Sequence, residues 1–274
     1  MTQNGRRQLR VRVLLWTRKA RNTILSKLEE MSPSIPAFRR ALESILDELA
    51  KNALKANYKF ILIRNRIMAR VEQEGISGRQ LRDRVEEICN DIARYNEFIQ
   101  EHPDILENIT EPLRAIIDEE AKWVKIVNER KEKREKITDE DKKFVRAPSP
   151  YAEIYDAVRE RRVYLEIRAT YRAPFFWLEV INKAPILSRD LDRIYAKRNE
   201  FKSHRDAGTE YEFFLNNMDT SDGGSGFGYA TIDSQLAEMG LEPLEHLVIL
   251  PLHNTNIVTT LNIEEIAARA SASA

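Results

Sequence analysis

Between Pro36 and Tyr58 the apolar residues Phe38, Leu42, Ile45, Leu46, Leu49, Ala53 and Leu54 recur at steps of mostly three and four. That period predicts a helix with one buried stripe. Glu48, Asn52 and Lys55 follow one another at steps of four and three, so they share a second line beside the apolar one. On this segment alone, the line reads first as a solvated face with an ordinary Glu–Lys spacing. Phe60-Ile61-Leu62-Ile63 reads equally well as more helix or as a short strand, because so short an apolar run has no diagnostic period.

The pattern elsewhere predicts a mixed order of elements. Gln8 to Trp16 starts with apolar/polar alternation and reads as a strand. Residues 20–31 read as a helix facing inward through Ile24, Leu25 and Leu28, and Ser34 is a candidate cap for the helix after it. From 66 to 144 charges are dense. Two or three helices are expected there, with breaks near Glu101-His102-Pro103 and Thr110-Glu111-Pro112 and a charged helix end or connector from Glu129 to Lys143. Ala147-Pro148-Ser149-Pro150 marks a boundary. Beyond it, 163–171 and 175–181 read as an antiparallel hairpin with one buried face. Ser188 to Lys197 reads as a short helix capped by Ser188, and the polar run Arg198 to Asp222 as a long lid-like loop. A glycine-rich turn then opens a helix through Ile232, Leu236 and Met239, ended by Gly240. Strands at 246–250 and 257–263 and a short terminal helix close the chain. The fold class is therefore α+β, in segments 1–65, 66–150 and 151–274, the middle one reading as a helical insertion.

Composition narrows the function classes. Lys+Arg and Asp+Glu balance at 44 each, which gives no global electrostatic reason to expect nucleic acid. At 274 residues, 42% hydrophobic and 32% charged, the chain can bury a sizeable core. No uncharged apolar run reaches the ~18 residues of a membrane span, and the basic start lacks the apolar core of a signal peptide, so a cytoplasmic protein is expected. The single cysteine, Cys89, excludes an intrachain disulfide and a cysteine zinc cluster. It falls in the periodic run Val85, Ile88, Cys89, Ile92 and reads as a buried thiol.

Asp222 to Ala230 carries Gly223, Gly224, Gly226 and Gly228 immediately before a helix. Glycines let a backbone approach a ligand, and the helix N-terminus behind them offers N–H groups and partial positive charge, which suits polyphosphate. No Gly-Lys-Ser/Thr follows, so this is not a Walker loop, nor does it have the preceding strand of a dinucleotide fingerprint. Single, scattered histidines form no metal or catalytic set. His102, beside Pro103, is a poor match to a phospho-acceptor helix.

The order acidic-Asn helix, hairpin, helix, polar segment, glycine loop and terminal strand pair resembles the GHKL ATPases: gyrase, Hsp-type chaperones, MutL and histidine-kinase ATP-binding domains. Glu48-Leu-Ala-Lys-Asn52-Ala-Leu-Lys55 resembles that family's N box. Gly224-Ser-Gly226-Phe-Gly228-Tyr-Ala resembles its last glycine box, and Trp177 to Ile186 its adenine box. The resemblance covers 8–64 and 163–263 and leaves the helical block unexplained. It implies a two-layer α/β sandwich and a Mg²⁺-dependent ATP-binding protein that hydrolyses ATP or passes phosphate to a separate partner. It also implies roles: Asn52 as Mg²⁺ ligand, Lys55 beside the phosphates, Glu48 as general base, and Gly224, Gly226 and Gly228 holding the loop against the phosphates. Where the family has Asp-x-Gly at the adenine amino group, this chain has Asn182 and Ala184. Asn182 keeps an acceptor oxygen but loses the charge assistance. A second reading is a non-catalytic scaffold in which residues 66–150 bind a protein partner or mediate a homodimer.

Overall fold

In a computed structural model of the chain, residues 7–31, 36–146, 150–217 and 227–272 are described. A five-stranded antiparallel sheet runs in the order β1 (Arg7–Val13), β2 (Leu165–Arg172), β3 (Phe175–Asn182), β5 (Thr255–Asn262), β4 (Leu247–Pro251). The first strand lies against a strand far along the chain, with Val11 opposite Ile167, so the sheet joins the segments on either side of the helical block. Alternation does what a period of two requires. Ile167, Leu178, Val180, Ile257 and Leu261 are buried on one face, while Arg10, Arg168, Phe175 and Val248 are exposed on the other.

Helix α1 (Arg18–Met31) crosses to α2 (Pro36–Gln73), which is the spine of the molecule. Pro36 opens it, no glycine or proline interrupts it, and it stops before Gly75 at φ +86°. At 38 residues it is ~57 Å long. Its first half lays Phe38, Leu42, Ile45, Leu46 and Leu49 on the sheet. Its second half continues through 60–63 as helix, which resolves that ambiguity, and carries Ile63, Ile67 and Val71 into a second core. The helix therefore runs unbroken across residue 65.

The helical block is built on that second half. Helices α3 (Gly78–Asn90) and α4 (Ile92–Glu101), a 3-10 turn at Pro103–Leu106, and helices α5 (Thr110–Glu132) and α6 (Asp139–Arg146) make four helices among the described residues where the pattern predicts two or three. The breaks near Pro103 and Thr110 fall as expected. A further one falls at Asp91, whose side chain caps α4 by accepting from the Ala93 and Arg94 N–H groups. Leu81, Val85, Ile88 and Cys89 pack on Ile63 and Ile67. Leu113 and Ile116 join Tyr58, Ile61 and residues of α7 (Ala152–Glu160).

After the hairpin, α8 (Ser188–Asp206) and α9 (Glu210–Asn217) replace most of the expected lid. The physical reason is a buried side that the polar composition conceals. Phe201 and Phe213 meet edge to face at 5.4 Å. Arg198 is fully buried against Asp233, through bonds of 2.9 to 3.1 Å, and also donates to the Leu247 and Pro243 carbonyls. Ser188 does not cap α8. Its N–H donates to Asn96 Oδ1 at 2.7 Å, so the cap comes from α4. Helix α10 (Phe227–Glu238) adds Ile232 and Leu236 to the sheet core, followed by α11 (Pro243–His246) and the terminal α12 (Ile263–Ala272). Ser34 lies outside the described residues.

Candidate functional site

The expected line on α2 exists, because the continuous helix fixes its three- and four-residue spacing. Its apolar neighbours Leu49, Ala53 and Leu54 are buried, which turns Glu48, Asn52 and Lys55 sideways to the core, where they are partly covered. Glu48 Oε1 accepts from Lys51 Nζ at 2.9 Å. Its other oxygen faces a different element.

That element is the first turn of α10. A Cβ added at Gly228 would stand 2.9 Å from Asn52 Nδ2, 3.1 Å from Glu48 Oε2 and 3.5 Å from Asn52 Oδ1. Hence the last glycine of the glycine-rich stretch meets the carboxylate and amide of α2 with its backbone, in a space that any side chain would fill. Gly224 and Gly226 lie outside the described residues.

Lys55 sits one turn further on, among cations. Burial lowers its pKa, and the charges of Arg193 on α8, Lys59 on α2 and Arg114 on α5 lower it further, against the opposing Asp190. Asp190 also pairs with Lys59. Of these residues only Lys59, four beyond Lys55, had a signal in the sequence. Arg114 reaches this face from the inserted block, whose position is a product of tertiary packing.

Asn182 is placed by the sheet instead. It ends β3 opposite Thr255 and is 3% exposed, and its Oδ1 is buried without a hydrogen-bond partner. Beyond it Ala184 is also buried, and its carbonyl accepts from Thr255 Oγ1 at 2.7 Å and from the Thr255 N–H at 3.2 Å.

Three of the four histidines have structural partners or positions. His102 ends α4 with its ring 4.6 Å from Phe98, His204 Nδ1 lies 2.9 Å from Thr209 Oγ1, and His246 Nδ1 lies 2.6 Å from the Thr260 carbonyl. Burial pushes the Cys89 thiol up to about 12, which suits a packed thiol rather than a nucleophile. Among the described residues no group of three His, Cys, Asp or Glu could hold a metal by itself, and no helix is long and apolar enough to cross a membrane. Comparison with family models, with curated proteins and with solved structures finds no match to this chain.

Proposed function

We propose that the chain is an ATP-binding protein of GHKL type, akin to histidine-kinase ATP-binding domains. It would use Mg²⁺ and ATP for hydrolysis or for phosphotransfer to a separate protein. The observation that carries this reading is the meeting of Gly228 with Glu48 and Asn52. Two sequence stretches nearly two hundred residues apart, each of the type that addresses phosphate or its metal, come together at one point. Two features bear on a nucleotide. The Gly228 backbone lies against Glu48 and Asn52 with no side chain between them, and Asn182 Oδ1 is a buried acceptor without a donor, a bond that the adenine amino group would supply on reaching it.

In this reading Asn52 holds the metal by its amide oxygen. Since no group of three acidic, His or Cys side chains stands there among the described residues, Mg²⁺ would take phosphate and water oxygens as further ligands. The nucleotide supplies a transferable phosphoryl group. Lys55 with Lys59, Arg114 and Arg193 would balance its charge, and Glu48 Oε2, the oxygen that faces Gly228, would accept a proton from an attacking group.

Titration of the intact chain with ATP and MgCl₂ by calorimetry tests the reading. Binding should appear, and Asn52→Ala should weaken it by about tenfold or more, as loss of a charge-assisted contact does. No binding at ~1 mM ATP, the scale of weak but specific affinity, would remove the proposal.

The observation that favours the second reading is the closure of the adenine end. Thr255 Oγ1 is committed to the Ala184 carbonyl, and Asn182 and Ala184 are both buried. A module that kept the fold and lost the ligand would look like this, with the helical block as its partner-binding or dimer-forming part. Loss of self-association or partner binding on replacing the exposed side chains of α3 and α4, with nucleotide binding absent throughout, is the result that reading requires.

A further inference from the structure

A cavity of about 670 Å³ lies between the helical block and the ends of β3 and β5, well within the ~300–1,000 Å³ of small-molecule sites. It is separate from the Glu48–Lys59 line, meeting α2 only at Phe60 and Arg64. Phe60, Cys89 and Val163 give it an apolar wall, while Arg64, Arg161 and Lys183 give it three cations against the carboxylates of Glu86 and Glu160.

One oxygen of Glu86, Oε1, accepts from Arg64 Nη2 and from Arg161 Nη1, both at 2.7 Å, and the other accepts from Asn90 Nδ2 at 3.2 Å. The Arg64 side chain is only 5% exposed, while Arg161 and Glu86 are 39% and 44% exposed, so a buried guanidinium and one at the rim meet on a single negative charge. Each guanidinium carries five N–H donors in a fork suited to oxyanions. The bonds to Glu86 use one from each. The excess of positive charge, the spare donors and the apolar wall share one space.

We propose that this cavity binds a small organic anion: a carboxylate or phosphate monoester whose head is held by Arg64, Arg161 and Lys183 and whose apolar body lies on Phe60 and Val163. Glu86 acts as the internal counter-ion that the ligand's head joins and partly displaces. The proposal does not depend on nucleotide binding at α2.

Calorimetry on the full chain tests it with phenyl phosphate and 3-phenylpropionate, taking inorganic phosphate and benzyl alcohol as controls that lack the body or the head. At least one of the two acids should bind saturably and more tightly than either control, and comparing the two identifies the preferred head. Arg161→Ala should weaken binding about tenfold, the worth of a charged hydrogen bond, and Lys183→Ala provides the same reading from an exposed residue should the first variant not fold. Glu86→Gln should tighten binding by up to about fivefold, since a competing charge is removed. A structural role for Glu86 alone would not produce that gain. Neither acid binding at about ten millimolar, inorganic phosphate binding as tightly as phenyl phosphate, or binding indifferent to Arg161→Ala and Lys183→Ala would overturn the proposal.

Discussion

Gly228 provides the sharpest test of how α10 meets α2, because two effects oppose each other there. It lies in the first turn of a helix, and its φ is not in the left-handed region that favours glycine. On helix propensity alone, Gly228→Ala should stabilise by up to ~1 kcal/mol. The new methyl would stand 2.9 Å from Asn52 Nδ2 and 3.1 Å from Glu48 Oε2, closer than the ~3.5 Å or more at which carbon contacts are favourable. Both neighbours are ends of side chains, so they can swing aside, at roughly 0.5–1.5 kcal/mol each if pushed off their rotamers. The expected net effect is a loss of about 1 kcal/mol. In a Glu48→Ala/Asn52→Ala background nothing stands in the way, and the same change should stabilise by up to ~1 kcal/mol. Urea denaturation of the four proteins measures the coupling, expected near 2 kcal/mol and within the ordinary range for contacting residues. Stabilisation by Gly228→Ala in both backgrounds would refute the contact and, with it, the central support for the proposed site.

Three further outcomes follow from particular contacts. Asp233→Asn leaves Arg198 buried without its counter-charge and should cost ~3–5 kcal/mol, while Arg198→Met with Asp233→Leu should recover much of that loss; chemical denaturation distinguishes the two. Burial opposes charge on Glu166, but hydrogen bonds from Arg10, Arg12 and Arg168 outweigh it and hold the carboxyl down to about 2. A carboxylate depressed in this way contributes stability fully above the ordinary range near 4.5, and that contribution is lost as pH falls through about 2. Glu166→Gln should therefore flatten the stability profile between those values, as read by urea midpoints against pH; an unchanged slope would contradict the triple-arginine account. Asn96→Ala removes the cap that α4 supplies to α8 and should cost ~0.5–2 kcal/mol, with early exchange of the Ser188 amide proton as the local signature.

Much of the architecture was written in periodicities. Phe38 to Leu54 marked the core face of α2, the alternation of 163–171 and 175–181 marked β2 and β3, and two breaks in the helical block fell near Pro103 and Pro112, while the break at Asp91 carries no proline. These signals are local, because the period of apolar residues is set by the helix or strand that carries them. Polar side chains on the buried side of an element send no such signal. Arg198 and Asn217 made 198–222 read as a loop, yet Arg198 is buried by Asp233 and Asn217 is bonded to Lys197, Glu200 and the Phe213 carbonyl. Their helical fate depended on partners up to 49 residues away.

The sequence by itself determined the α+β class, the alignment of Glu48, Asn52 and Lys55, and the burial of Cys89, because each follows from spacing along one element. Tertiary structure alone decided what those residues meet. It brought Gly228 against Glu48 and Asn52, carried Arg114 from the inserted helices to Lys55, supplied the α8 cap from Asn96, and gathered Arg64 and Arg161 on Glu86. The physical reason is that a helix fixes the directions of its own side chains at steps of 1.5 Å, whereas the neighbour in each direction is chosen by the burial of apolar surface across the whole chain.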